Sequence, residues 1–198
     1  MQEFIPPIQD RSAQQNQGVY VVLVHTQSIV SWAIAAVTQD QYTHAAIALT
    51  QDLDAMYSFG RRWSRYPFWG CFKRENFSEG FYARGGALPG VVLRVEVTDR
   101  QYGRIREMIA GFEARRDSLR YDTVGLLIGA FGLPSDSSGH YTCSKFVADV
   151  LGTAGVHYFD KPLSLVRPQD LLALPGQVVY RGDLRQYVGL GWTQRVAI

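Results

Sequence analysis

Two residues of this chain have the types and surroundings that nucleophilic catalysis requires, Cys143 and His44. A thiol attacks strongly only as the thiolate, and the first turn of a helix favours that form because its N–H groups and dipole stabilise negative charge. In the stretch Tyr141-Thr142-Cys143-Ser144-Lys145-Phe146-Val147-Ala148-Asp149-Val150-Leu151, the apolar residues Phe146, Val147, Val150 and Leu151 follow Cys143 by three, four, seven and eight positions. That spacing predicts a helix carrying the sulfur at its start, on the buried stripe, with Gly152 or Gly155 ending it. A nucleophilic thiol also needs a base, commonly His, which folding rather than sequence brings to it. His44 is the candidate. It lies in the strand Thr43 to Leu49, where Ala46 and Ala48 share its face, and such small side chains would let the Cys143 helix pack close enough for the imidazole to meet the sulfur. The same residues also fit a simpler reading, a small buried thiol and a core strand.

The other candidates are weaker. His140 lies three residues before Cys143, in the approach to the helix, and reads as a rim residue. His25 follows a strand and His157 follows a helix, with no spacing that gives either a role. Cys71 and Cys143 form no CxxC, and there is no HExxH, so neither a metal set nor a disulfide framework emerges and no cofactor is implied.

The elements that must position the pair follow from patterning. Val19 to Val24 is β-branched and nearly all apolar, a strand buried on both faces. Ser28 is placed to cap a helix through about Thr38. Thr43 to Leu49 alternates, and a turn leads to Met56-Tyr57-Ser58-Phe59, giving a hairpin. From Arg61 to Gly86 the pattern breaks into aromatics, arginines and glycines, including Trp63, Phe68, Trp69 and Tyr82 among Arg61, Arg62, Arg65, Lys73 and Arg74. This reads as a long loop able to grip a carboxylate, a phosphate or an acyl chain, or else to pack its own aromatics under a basic rim. Val91 to Val97 is a strand, and Asp99 begins a helix with Ile105, Met108, Ile109 and Phe112 at helical spacing. Tyr121 to Phe131 reads as a short apolar helix, Arg167-Pro168-Gln169-Asp170 opens another at Leu171, and Val178 to Tyr180 is a last strand. The expected class is α+β with an antiparallel sheet.

With 198 residues, 46% apolar and 19% charged, the chain has core material enough to exclude disorder. A formal net charge of +2 makes no demand for nucleic acid. The longest nearly apolar run, Thr123 to Leu133, falls short of the roughly 20 residues of a membrane span. Residues 1–17 read as a polar extension without the basic-then-apolar order of a secretory signal, and 18–198 as one domain, so a cytoplasmic location is the expectation.

The strings Tyr42-Thr43-His44-Ala45-Ala46-Ile47-Ala48-Leu49 and Thr142-Cys143-Ser144-Lys145-Phe146-Val147-Ala148 resemble the circularly permuted branch of the NlpC/P60 papain-like superfamily, over about Val19 to Tyr187. In that branch, which includes YiiX-like proteins and the lecithin retinol acyltransferase group, His precedes Cys, and here the separation is 143 − 44 = 99 residues. The resemblance implies a papain-like fold and a thioester on the Cys. It implies a hydrolase or acyltransferase acting on an amide or ester carbonyl, with cell-wall peptides or lipid acyl esters as substrates. The family's third residue is a polar side chain on the strand after the His strand, and Ser58 best matches it. This departs from the more familiar Glu or His, because a hydroxyl orients imidazole without stabilising imidazolium through charge. Glu75 of the aromatic loop is the alternative source of a carboxylate. For the oxyanion, the Cys143 N–H is the natural first donor and Tyr121, in a segment similar to the family's Tyr-containing one, a second. A fold whose chemistry has lapsed into ligand or partner binding, and a lipid enzyme contacting membranes through Trp63, Phe68 and Trp69, are the rival expectations.

Overall fold

In the computed structural model of the chain, the described residues are 17–26, 40–61, 70–77, 79, 82–83, 86–122, 125, 128–129, 131–135 and 139–189. Five strands come first, β1 (Gln17–Val24), β2 (His44–Ala48), β3 (Met56–Arg61), β4 (Gly70–Glu75) and β5 (Pro89–Val97), followed by helix α1 (Asp99–Ala114). Two short strands, β6 (Arg120–Tyr121) and β7 (His140–Tyr141), then lead to α2 (Cys143–Thr153), two 3-10 helices (Leu163–Leu165 and Pro168–Ala173), β8 (Gly176–Asp183) and α3 (Leu184–Gly189). The protein is α+β. Six strands form one antiparallel sheet in the order β4-β3-β2-β1-β5-β8, and β6 and β7 pair separately in parallel.

β1 is central, and its residues from Val19 to Val24 are all buried because both faces of the sheet are covered. On one face Leu23, Ala45, Ile47 and Val91 pack beneath Ile105, Ile109 and Phe112 of α1 and Phe146, Val147, Val150 and Leu151 of α2. Aromatic rings interlock there, Phe59 with Phe146 at 5.5 Å between centroids and Phe72 with Phe112 at 5.7 Å. On the other face Val22, Val24, Ala46, Ala48 and Met56 meet Tyr82, Leu88, Leu184 and Tyr187.

The helices end where local chemistry dictates. Thr98 and Gln101 form a reciprocal capping box at the start of α1. Thr142 Oγ1 accepts from Lys145 N–H at the start of α2. At its far end Gly155 adopts φ +72°, and the N–H groups of Gly155 and Val156 donate to Gly152 and Leu151, a Schellman closure in which glycine tolerates the left-handed turn.

Several sequence expectations are corrected. The run from Arg61 to Gly86 contains β4, paired with β3 from Met56↔Glu75 to Arg61↔Gly70, because one partner strand and the single core-facing ring of Phe72 suffice to order it. Tyr121 lies in β6, so the helix expected from it starts later, Gly125, Ile128 and Gly129 being helical among the described residues, and His140 lies in β7. The last strand runs over eight residues, and α3 follows it. The helix expected over 28–38 and Trp63, Phe68 and Trp69 lie outside the described residues.

Candidate active site

Cys143 is the first residue of α2, and 3% of its surface is exposed. It stands among the four N-terminal N–H groups that have no acceptor within the helix, the local source of positive potential. The turn is anchored on three sides. Thr142 caps it, Ser144 Oγ donates to Val166 O at 2.5 Å, and Lys145 Nζ donates to His140 O at 2.9 Å while standing 5.1 Å from the Tyr141 ring centre.

His44, 8% exposed, is the first residue of β2 and so sits at the rim of the sheet. The fold brings it close enough to Cys143 for the thiol to be one of the groups that raise the imidazole pKa. The route differs from the expected one. The helix packs on the Ala45 and Ile47 face, whereas Ala46 and Ala48 face the opposite layer. His44 is at the strand's end, where its ring can meet a sulfur carried on the helix side, and the small alanines beyond it serve a different packing contact.

The ring's Nε2 stands 3.1 and 3.2 Å from the two carboxylate oxygens of Glu75. Glu75 is 3% exposed and belongs to β4, two strands from His44. Its oxygens collect further donors. Ser58 Oγ donates to Oε1 at 2.7 Å, Tyr82 Oη donates to Oε2 at 2.6 Å, and Lys73 Nζ lies 3.2 Å from Oε1. Ser58 therefore supports the carboxylate, and the carboxylate bears on the ring.

Burial alone disfavours the charged forms of both partners, yet each charge is what stabilises the other. For His44, desolvation lowers the pKa, but the Glu75 charge and hydrogen bonds to Cys143 and Glu75 prevail and raise it from 6.5 to about 9. For Glu75, desolvation pushes upward, and His44, Lys73 and Tyr82 together hold the carboxyl below the usual carboxylate range. Burial, and then the neighbouring Glu75 charge, keep the Tyr82 phenol protonated well past its ordinary range.

Tyr121 is half-buried at the border of the helix-side core, with its Cβ against the Cα position of Gly70. Any side chain at Gly70 would overlap it, so the glycine is what lets Tyr121 pack there.

The fold thus brings Cys143, His44, Glu75 and Ser58 together. Sequence reasoning gave Tyr82 and Lys73 no part in this cluster. A signal existed, since Cys71, Lys73 and Glu75 alternate around Phe72 and share one strand face. Among the described residues no group could hold a metal ion, and no helix is long and apolar enough to cross a membrane. Comparison with protein-family models, with curated proteins and with solved structures returned no match.

Proposed function

We propose that this protein is a cysteine-dependent hydrolase or acyltransferase of the permuted papain-like, NlpC/P60 type, acting on an amide or ester carbonyl. One observation carries the reading: a thiol at a helix start whose electrostatic partner is an imidazole held through Nε2 by a buried carboxylate. Nε2 is held by Glu75, and Nδ1 exchanges a proton with sulfur. The raised imidazole pKa keeps that proton on His44 at neutral pH.

The sulfur, as thiolate, attacks the carbonyl carbon, forming a C–S bond as the carbonyl electron pair moves to oxygen. The Cys143 N–H receives that oxyanion. Collapse expels the amine or alcohol, which takes the proton from His44 and leaves a thioester. Neutral His44 then removes a proton from water or another acceptor, whose attack releases the acyl group and restores the thiolate and imidazolium. Glu75 stabilises imidazolium through charge throughout. Cell-wall peptides and lipid acyl esters are the substrate classes the resemblance supplies.

The rival reading, a lapsed enzyme that only binds, is favoured where Ser58 rather than a carboxylate orients the ring. The carboxylate beside Nε2 supports the catalytic reading instead. The deciding experiment treats wild type and Cys143→Ala with an activated acyl ester and locates the acyl adduct by mass spectrometry. Acylation of Cys143 at neutral pH, lost in His44→Ala, is expected. Equal labelling of wild type and Cys143→Ala would end the proposal.

A further inference from the structure

Four groups able to carry charge meet around Glu75: the carboxylate itself and Lys73 from β4, His44 from β2 and the Cys143 sulfur from α2. Ser58 of β3 and Tyr82 add neutral hydroxyls that donate to the carboxylate. Acyl transfer uses the imidazole, the carboxylate and the sulfur, and leaves the Lys73 ammonium without a part. Yet Lys73 is seated, not merely nearby. It lies two residues before Glu75 on the same face of β4, opposite Ser58. A Cβ at Gly60 would come within 3.0 Å of its Cε and 3.4 Å of its Nζ, so the stem lies across the bare backbone of that glycine. The Lys73 side chain is 29% exposed and that of Glu75 0%, which sets the ammonium between a dry carboxylate and water. Arg74, the next cation of the strand, is engaged elsewhere, its Nε and Nη2 donating to Asp54 O at 3.1 and 2.7 Å.

Oε1 of Glu75 is the shared atom. His44 Nε2 at 3.1 Å and Lys73 Nζ at 3.2 Å both contact it, so two cations bear on one oxygen. With the sulfur as thiolate, two negative and two positive charges balance in the cluster. Take the ammonium away and two anions face a lone imidazolium, which then keeps its proton more firmly. A general acid must also let its proton go.

We propose that Lys73 is a positioning residue of this site: by sharing Glu75 Oε1 with the imidazole it holds the carboxylate in place while opposing the imidazolium charge, so that His44 can surrender its proton to the leaving group. The assignment rests on the acyl-transfer reading of Cys143 and His44, and adds to it the group that keeps the base from being locked in its charged form. Lys73 acts through Glu75 and touches no reacting atom. Gly60 belongs to the same device, because its missing side chain makes room for the stem.

The test follows the His44 ring by NMR through its titration, the signal being assigned by its loss in His44→Ala. Lys73→Met keeps an unbranched apolar stem over Gly60 and removes the charge. The midpoint, about 9 in the native protein, is expected to rise by about one pH unit, and Lys73→Arg, which returns a cation, to bring it back. A merely structural role predicts the opposite sign, because a loosened site admits water and lets the ring drift down toward 6.5. The titration needs no turnover. A midpoint that rises in Lys73→Met and returns in Lys73→Arg, in a protein whose Cys143 takes no acyl group from an activated ester, supports the hold of Lys73 on the carboxylate and counts against the acyl-transfer reading alone. A midpoint that stays or falls in Lys73→Met overturns the proposal.

Discussion

Tyr82 Oη donates to Glu75 Oε2 over 2.6 Å, and the carbonyl of the same tyrosine is gripped by Arg185, Nε at 3.2 Å and Nη2 at 3.1 Å. The helix that follows the last strand therefore holds in place the residue that holds the carboxylate that orients the base. Tyr82→Phe deletes only the phenolic donor. Hydrogen bonds to buried charged groups contribute about 1.5–3 kcal/mol, so urea unfolding should show a loss near 2 kcal/mol with an unchanged slope. A loss below about 0.5 kcal/mol would mean that this bond is of no consequence to the charge.

Glu75→Gln removes the charge and keeps the shape. Burial then acts on His44 with less to oppose it, so its pKa, raised to about 9 in the native protein, should fall. Acyl transfer should drop by about a hundred-fold or more, the scale of a misplaced general acid–base group. NMR titration of the imidazole and single-turnover acylation read the two effects. An unmoved His44 titration would detach the carboxylate from the ring.

Stability should be greatest between two pH limits. His44 has its folded pKa raised above 6.5, so its contribution is complete below about pH 6.5 and is lost as pH rises through about 9. Glu75 has its folded pKa lowered from 4.5, so its contribution is present above about 4.5 and is lost as pH falls toward the folded value. Thermal melts across this range should fall at both ends, and His44→Ala should flatten the alkaline limb.

Thr142→Ala removes the side-chain acceptor for Lys145 N–H at the turn that carries Cys143. The expected cost is about 1 kcal/mol, measured as a lower melting temperature, together with slower alkylation of Cys143 as the turn loosens. Equal rates in the two proteins would separate the cap from the reactivity of the sulfur.

Gly70→Ala tests the seat of Tyr121. An added Cβ would overlap Tyr121 and crowd Gly60 O at 2.8 Å, so one of them must shift. Overpacking of this kind costs about 1–3 kcal/mol, and serine should be no better tolerated than alanine.

Much of the scaffold could be read from residue patterning. β1 showed itself by an unbroken β-branched run, α1 by its 3.6-residue stripe after Thr98, and α2 by the spacing of four apolar residues behind Cys143. Glu75 was harder to place in a strand. β4 is an edge strand, and of its six residues Phe72 alone brings a ring to the core, so alternation carried almost no hydrophobic signal. The side of β2 on which the helix lies was read wrongly from Ala46 and Ala48 because small residues mark close approach without saying what approaches. Tyr82 was invisible for a different reason: its value lies in a single hydroxyl, while pattern reading weighs the ring.

His44, Ser58 and Glu75 come from three successive strands, with Met56 opposite Glu75 and Ser58 opposite Lys73. Were β4 to pair one position out of step, every side chain on it would exchange faces, and the carboxylate would be swung into the aromatic layer while Arg74 took its place beside the imidazole. A misaligned molecule would thus set one cation against another in a dry interior, and correct assembly of the edge is enforced by the same charges on which the chemistry draws.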